Sequence, residues 1–363
     1  MTQRVAFVDY LRVFACFLVI LVHASENFYG AAGSTDMAGP QSFLSSELDR
    51  LWVSLYDGFA RMSVPLFMML SAYLLVPLKP QTTMWQFYKS RAKRIVTPVL
   101  LFMVLYSLLP LLWGATDVAM AKTDMSRLLL NFPSLAGHLW FMYPLIGLYL
   151  FMPIVSPWLQ RATAKEELFV IGLFLLSTCM PYLNRWFGDV WGECFWNQYH
   201  MLWNFAGYFG YLVLAHYIKV HIDWSRSKRF VVGLCSMVVG AVITIYSFYV
   251  QATPGINLST PVIELGWAFC TINCVMLTFG AFLLFGCIES DKAPAIVTDL
   301  SKLSFGIYLV HLFWLGTWVA LFKDDMAMPS VAAIPAITVA TFVTSYLTCK
   351  IVSYIPGSKW LIG

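Results

Sequence analysis

Apolar runs recur along the chain near residues 6–29, 58–78, 95–113, 138–158, 168–184, 203–219, 230–250, 262–288, 303–322 and 332–354. Each approaches or exceeds the length that crosses the roughly 30 Å hydrocarbon core of a bilayer. No water reaches that depth, so backbone N–H and C=O groups must pair within the segment, and the helix is the local solution. The pattern predicts an all-α polytopic membrane protein, a bundle of about ten transmembrane helices. Charged residues make up only 12% of the 363 residues, about half the share in a soluble domain. That excludes a soluble enzyme and leaves no basic surface for nucleic acid.

Loop charges give the orientation. Of the 23 Lys and Arg residues, 16 fall on the side of Arg4 and Lys79. Five fall on the other side (Arg50, Lys122, Arg127, Arg185 and Lys323). Positive residues favour the cytoplasm, so both termini are expected there. The loops at 30–57 and 114–137 are too short to be separate domains and no internal repeat is visible, so residues 1–363 read as a single transmembrane domain. The Trp-rich stretch 184–202 reads as interfacial. Residues 1–24 have the outline of a signal peptide, but Asp9 in its charged region and His23 beside the cut favour a retained helix. The eight cysteines are scattered without a CxxC or Cys/His cluster, so they read as small core residues and no metal is expected.

Ionisable groups inside a membrane are costly and usually line a polar cavity. The stretch DYLRVFACFLVILVHASEN (9–27) carries two, Arg12 and His23. Eleven residues of α-helix turn through about 1100°, roughly 20° past three full turns, and rise by roughly 16 Å. Arg12 and His23 therefore share a face, with Arg12 near the cytoplasmic edge and His23 in the outer half. Glu26, three residues past His23, can orient the ring, although a carboxylate at the water interface is the plainer reading. Arg61 opens the second run at a similar depth and can bind an acceptor or pair with Asp57 or Glu26. Glu264 opens the eighth run and Asn273 lies within it; His138 and Trp140 stand at one edge of the fourth, just before Tyr143. His311 falls mid-membrane and reads as a hydrogen-bonded structural histidine. A second basic element, FYKSRAKRIVTP (87–98), is expected as a cytoplasmic loop and the start of the third helix, with Arg91 and Arg94 on one face.

DYLRVFACFLVILVH (9–23) resembles the first-helix signature of the membrane acyltransferase-3 family, a basic residue and a histidine separated by ten positions. Further blocks keep their order along nearly the whole chain: RMSVPLFMMLSAYLL (61–75), Arg91 and Arg94 followed by Ile95 and Pro98, HLWFMYPLIGLYLFMPI (138–154) and SFGIYLVH (304–311). The resemblance implies an O-acetyltransferase of the bacterial cytoplasmic (inner) membrane. It would carry an acetyl group from cytoplasmic acetyl-CoA, the donor co-substrate, to a hydroxyl of a surface polysaccharide sugar or its lipid-linked precursor. Carried over by position, His23 and Arg12 become the catalytic pair, while Arg12, Arg91, Arg94 and Ser71 become donor-binding. Glu26, Arg61, His138, Trp140, Tyr143 and Glu264 become candidates for acceptor binding. Ala72 departs from the glycine the family commonly places after that serine, which weakens a donor role for Ser71.

The residues fit that chemistry. Acetyl-CoA is polyanionic at one end and carries its thioester on a long arm, so a site needs cations at the cytoplasmic face and a base further in. An imidazole titrating near neutrality suits the removal of a hydroxyl proton. A polytopic transporter or flippase of a glycan or lipid intermediate fits the composition equally, but the matching repeats or broken helices common there are not visible. Another acyl group, such as succinyl, would suit the same residues. The partners expected are acetyl-CoA, the glycan acceptor and membrane lipids; nothing in the sequence sets an oligomeric state.

Overall fold

The computed structural model describes residues 6–29, 40–41, 46–188, 190–191, 200–254 and 258–362. The chain begins with α1 (Ala6–Glu26), followed by α2 (Glu47–Ala60) and α3 (Ser63–Leu75), which run on through Arg61 and Met62. Next come α4 (Met84–Arg91) and α5 (Thr97–Leu108), joined by a π turn over Ala92–Val96, then the short α6 (Val118–Ser126). A 3-10 turn at Gly137–Phe141 leads into α7 (Met142–Leu159); α8 (Ala164–Thr178) and α9 (Met180–Phe187) follow, then α10 (Phe209–His221) and α11 (Arg226–Gln251). The remainder is α12 (Thr260–Ile263), α13 (Ile272–Phe285), α14 (Ala295–Val319) with a π turn over Ala320–Asp325, α15 (Ser330–Ser353) and α16 (Lys359–Ile362). One two-residue antiparallel pairing, β1 (Pro40–Gln41) with β2 (Leu258–Ser259), joins two connections.

This is the all-α polytopic architecture expected, with a smaller count of spans. Among the described residues, eight helical columns are long and apolar enough to cross a membrane, and α8 with α9 makes a ninth if counted as one span bent by 40°. The bend falls at Cys179, where Pro181 opens α9 without an N–H to donate backward. The expected span at 203–219 is broken between a 3-10 turn ending at Phe205 and the 13-residue α10, whose rise of about 20 Å falls short of the core thickness. The columns of α2 and α4 start well before their apolar runs. Ser46 caps α2 by accepting from the Asp49 N–H at 3.1 Å, which turns part of the expected 30–57 loop into helix. A reciprocal capping box between Thr83 and Gln86 starts α4, so the basic segment is helical rather than loop. The 184–202 stretch and the 30–57 loop lie partly outside the described residues.

The first run becomes the axis of the bundle: α1 packs against α2, α3, α13, α14 and α15, and Leu11, Ala15, Ile20 and Ala24 are fully buried. Around it, α11 and α13 meet along a glycine seam. A Cβ built on Gly280 would come within 2.5 Å of the Gly233 carbonyl oxygen, and one on Gly240 within 2.7 Å of the Asn273 carbonyl oxygen. Such small residues let helix backbones approach in lipid, where apolar burial alone gives little association. Asn273 pins the seam: its Nδ2 donates to Thr244 Oγ1 at 2.7 Å and to the Gly266 carbonyl at 2.6 Å, and its Oδ1 accepts from the Tyr182 hydroxyl at 2.6 Å. Buried Glu167 ties α8 to α10, with His216 Nδ1 and His221 Nε2 each 3.0 Å from its Oε1. Seven cysteines are free among the described residues and most are buried; Cys194 lies outside them.

Candidate active site

The last turn of α1 presents His23. Its Nδ1 lies 2.8 Å from Glu26 Oε2. A carboxylate oxygen only accepts, so Nδ1 carries a proton, and in the neutral imidazole the lone pair is on Nε2. The other Glu26 oxygen is 4.0 Å from Arg61 Nη2. Glu26 therefore makes the orienting contact rather than ending the helix in solvent alone.

Arg61 belongs to a buried ion cluster. Its Nε and Nη2 donate to Asp57 Oδ1 and Oδ2 at 2.7 and 2.9 Å, and Nη2 also donates to the Tyr29 hydroxyl at 3.1 Å. Glu264 Oε1 is 3.6 Å from Arg61 Nη2 and accepts from the Tyr29 hydroxyl at 2.7 Å. The Trp267 ring lies 4.3 Å beneath the guanidinium. Of the alternatives open in the sequence, Arg61 takes the pairing with Asp57, and Glu264 is drawn into the same network.

Two further imidazoles meet His23. The ring of His311, from α14, stacks on it with centroids 5.3 Å apart and planes 27° apart. His138, entering from the turn before α7, meets His311 edge-on at 4.9 Å and His23 at 6.5 Å. His311 Nδ1 donates to the Tyr308 carbonyl at 2.6 Å. Its Nε2, and both ring nitrogens of His138, are buried without a hydrogen-bond partner among the described residues. His311 is thus hydrogen-bonded, as expected, but is also a wall of the His23 site.

The Arg12 end opens into a cavity of about 280 Å³. Arg12, Ser71, Arg91 and Arg94 all line it, together with Lys302, Tyr149, Ser301 and Tyr308. Arg12 Nη1 donates to Ser301 Oγ at 3.4 Å, and Ser301 Oγ donates to buried Asp9 at 2.6 Å. Ser71 Oγ is 3.3 Å from the Tyr149 hydroxyl. The π turn over Ala92–Val96, which follows Arg91 and carries Arg94, lies at the cavity wall; π turns recur at functional sites. Tyr308 forms the inner limit: it lines the cavity, donates its hydroxyl to the His138 carbonyl at 2.5 Å and lies 5.9 Å from the His311 ring.

The four expected donor-side residues are therefore gathered at one place, and His23, Glu26 and His138 at another. Trp140 stacks on Phe269 at 5.5 Å, a ring that also faces Arg61 at 6.0 Å. Tyr143 is not brought in; it is partly exposed, packs against Phe132 and does not line the cavity. Sequence reasoning missed Lys302, Ser301, Tyr149 and Tyr308 as cavity residues and the proximity of His311 to His23. A signal existed: Ser301, Ser304, Phe305, Tyr308 and His311 repeat at helical spacing, one stripe of α14.

A helical membrane bundle with a basic cavity at one end of its central helix and a carboxylate-held imidazole at the other defines a polytopic membrane protein built around an internal polar site. A family model described as an acyltransferase domain matches residues 5–350. The chain belongs to that family, the membrane acyltransferase-3 family, and is a multi-pass membrane acyltransferase. No curated protein and no solved structure matches it.

Proposed function

We propose that the chain transfers an acetyl group from cytoplasmic acetyl-CoA to a hydroxyl of a surface polysaccharide sugar, or of its lipid-linked precursor, at the bacterial inner membrane. The observation that carries this reading is the placement of both machineries on α1: Arg12 in a cavity with Arg91 and Arg94, and His23 held by Glu26 three turns further on. The cavity, about 280 Å³, lies just below the roughly 300–1,000 Å³ typical of ligand pockets. It suits the diphosphate and the start of the pantetheine arm, which would then run about 16 Å along α1 toward His23. The glycan acceptor is proposed on the sequence resemblance of the blocks at 61–75 and 138–154 to the enterobacterial common antigen O-acetyltransferase.

In the reaction, His23 Nε2 takes the proton of the acceptor hydroxyl as its oxygen attacks the thioester carbonyl. Glu26 stabilises the imidazolium that forms, as a carboxylate does beside any catalytic imidazole. His138, whose ring nitrogens have no hydrogen-bond partner among the described residues, is the donor proposed for the tetrahedral oxyanion. Collapse expels the CoA thiolate, which receives the proton from His23. Trp140 and the Arg61–Glu264 network flank the acceptor side. An acetyl-His23 intermediate is the mechanistic alternative; single turnover with labelled acetyl-CoA and no acceptor distinguishes them, since direct transfer leaves no labelled protein.

The test is surface-glycan O-acetylation in a deletion strain complemented with wild type, His23→Ala or Arg12→Ala. His23→Ala is expected to lose it and Arg12→Ala to lower it, each while accumulating as folded protein. Full acetylation by His23→Ala sinks the proposal, as does a purified wild-type protein that neither CoA nor acetyl-CoA stabilises thermally.

A further inference from the structure

The two stacked imidazoles are in the same protonation geometry. His23 gives its Nδ1 proton to a carboxylate and His311 gives its own to the Tyr308 carbonyl. Neither oxygen can donate in return, so in the neutral imidazole each ring has its lone pair on Nε2. At His311 that lone pair is fully buried and no protein group donates to it among the described residues. A buried acceptor left unmatched costs about 1–3 kcal/mol, and a leucine would fill the same volume without that cost. The position is therefore built for a donor that arrives from outside the chain.

A single hydroxyl has one proton and cannot serve both Nε2 atoms. With ring centroids 5.3 Å apart, the two rings are within reach of one sugar unit. We propose that His311 binds the acceptor: its Nε2 accepts a hydrogen bond from a second hydroxyl of the sugar whose reacting hydroxyl is presented to His23. The acceptor is accordingly a polyol unit engaged through two hydroxyls, not a monohydric lipid alcohol. This inference rests on the acetyl-transfer reading above.

His311→Gln keeps a side-chain oxygen that accepts, whereas His311→Leu fills the space and accepts nothing. In the complemented deletion strain, Leu is expected to lower glycan acetylation at least ~30-fold and Gln by only ~5-fold, since a lost hydrogen bond in a dry site is worth about this much. Both purified variants should keep the wild-type thermal stabilisation by acetyl-CoA, because His311 does not line the donor cavity. A purely structural core role gives the opposite order, with Leu tolerated as well as or better than Gln, and that order overturns the proposal. So does NMR of the modified glycan if the acetylated sugar retains no free hydroxyl. Loss of acetylation in His23→Ala with full acetylation in His311→Leu removes this inference alone; full acetylation in His23→Ala removes the reading beneath it.

Discussion

Glu26 lies one helical turn beyond His23 and accepts its Nδ1 proton at 2.8 Å, while its second oxygen is 4.0 Å from Arg61. The carboxylate thus links the imidazole to the buried ion cluster around Asp57. Glu26→Gln keeps the shape and removes the charge that stabilises an imidazolium. Acetyl transfer is expected to fall about 10²-fold, the lower range of general-base contributions, with the affinity for acetyl-CoA unchanged. Initial rates against acetyl-CoA concentration check this; an altered KM with an unaltered maximal rate would contradict it.

Arg12, Arg91 and Arg94 act at the other end. Each substitution to Ala should raise the KM for acetyl-CoA about tenfold, the loss of one charge-assisted hydrogen bond. Arg12→Lys should recover only part of it, because an ammonium lacks the planar fork. Thermal stabilisation by acetyl-CoA should shrink in parallel.

Asp57 and Arg61 predict stability rather than chemistry. Both are buried and joined by two hydrogen bonds, so Asp57→Ala leaves an arginine without its principal partner. The expected cost is about 3–5 kcal/mol, read as a lowered unfolding temperature in detergent. The double variant Asp57→Leu with Arg61→Met should recover much of that stability.

The glycine seam between α11 and α13 allows no side chain. Gly280→Ala places a methyl group 2.5 Å from the Gly233 carbonyl oxygen, against backbone that cannot turn aside. Destabilisation of about 1–3 kcal/mol is expected, with greater protease sensitivity of α11. Gly147→Ala, where an added Cβ meets nothing within 4 Å, should be silent in the same assay.

Much of the site was legible because it is local. Arg12 and His23 share one uninterrupted helix, so 3.6 residues per turn places them without knowledge of the fold. The Glu26 contact is also local, yet the interfacial reading competed with it because water satisfies a carboxylate in the last turn of a helix equally well. The early starts of α2 and α4 were encoded in Ser46 and in the Thr83–Gln86 box, signals that hydropathy overlooks because capping residues are polar. The bend at Cys179 was encoded in Pro181.

By itself, the sequence determined that the chain is a helical membrane protein, which helix bears the polar face, and which residues on it are spaced to act together. Those properties follow from length, hydropathy and helical period, all of which operate within one segment. Only the tertiary structure decided that His311 and His138 close on His23, that Lys302 and Tyr308 complete the cavity of Arg12, and that Arg61 is already paired. Each of these is a contact between helices far apart in the chain. It depends on how packed columns rotate against α1, and in lipid that rotation is set by seams of small residues and buried polar pairs rather than by any periodic pattern in one segment.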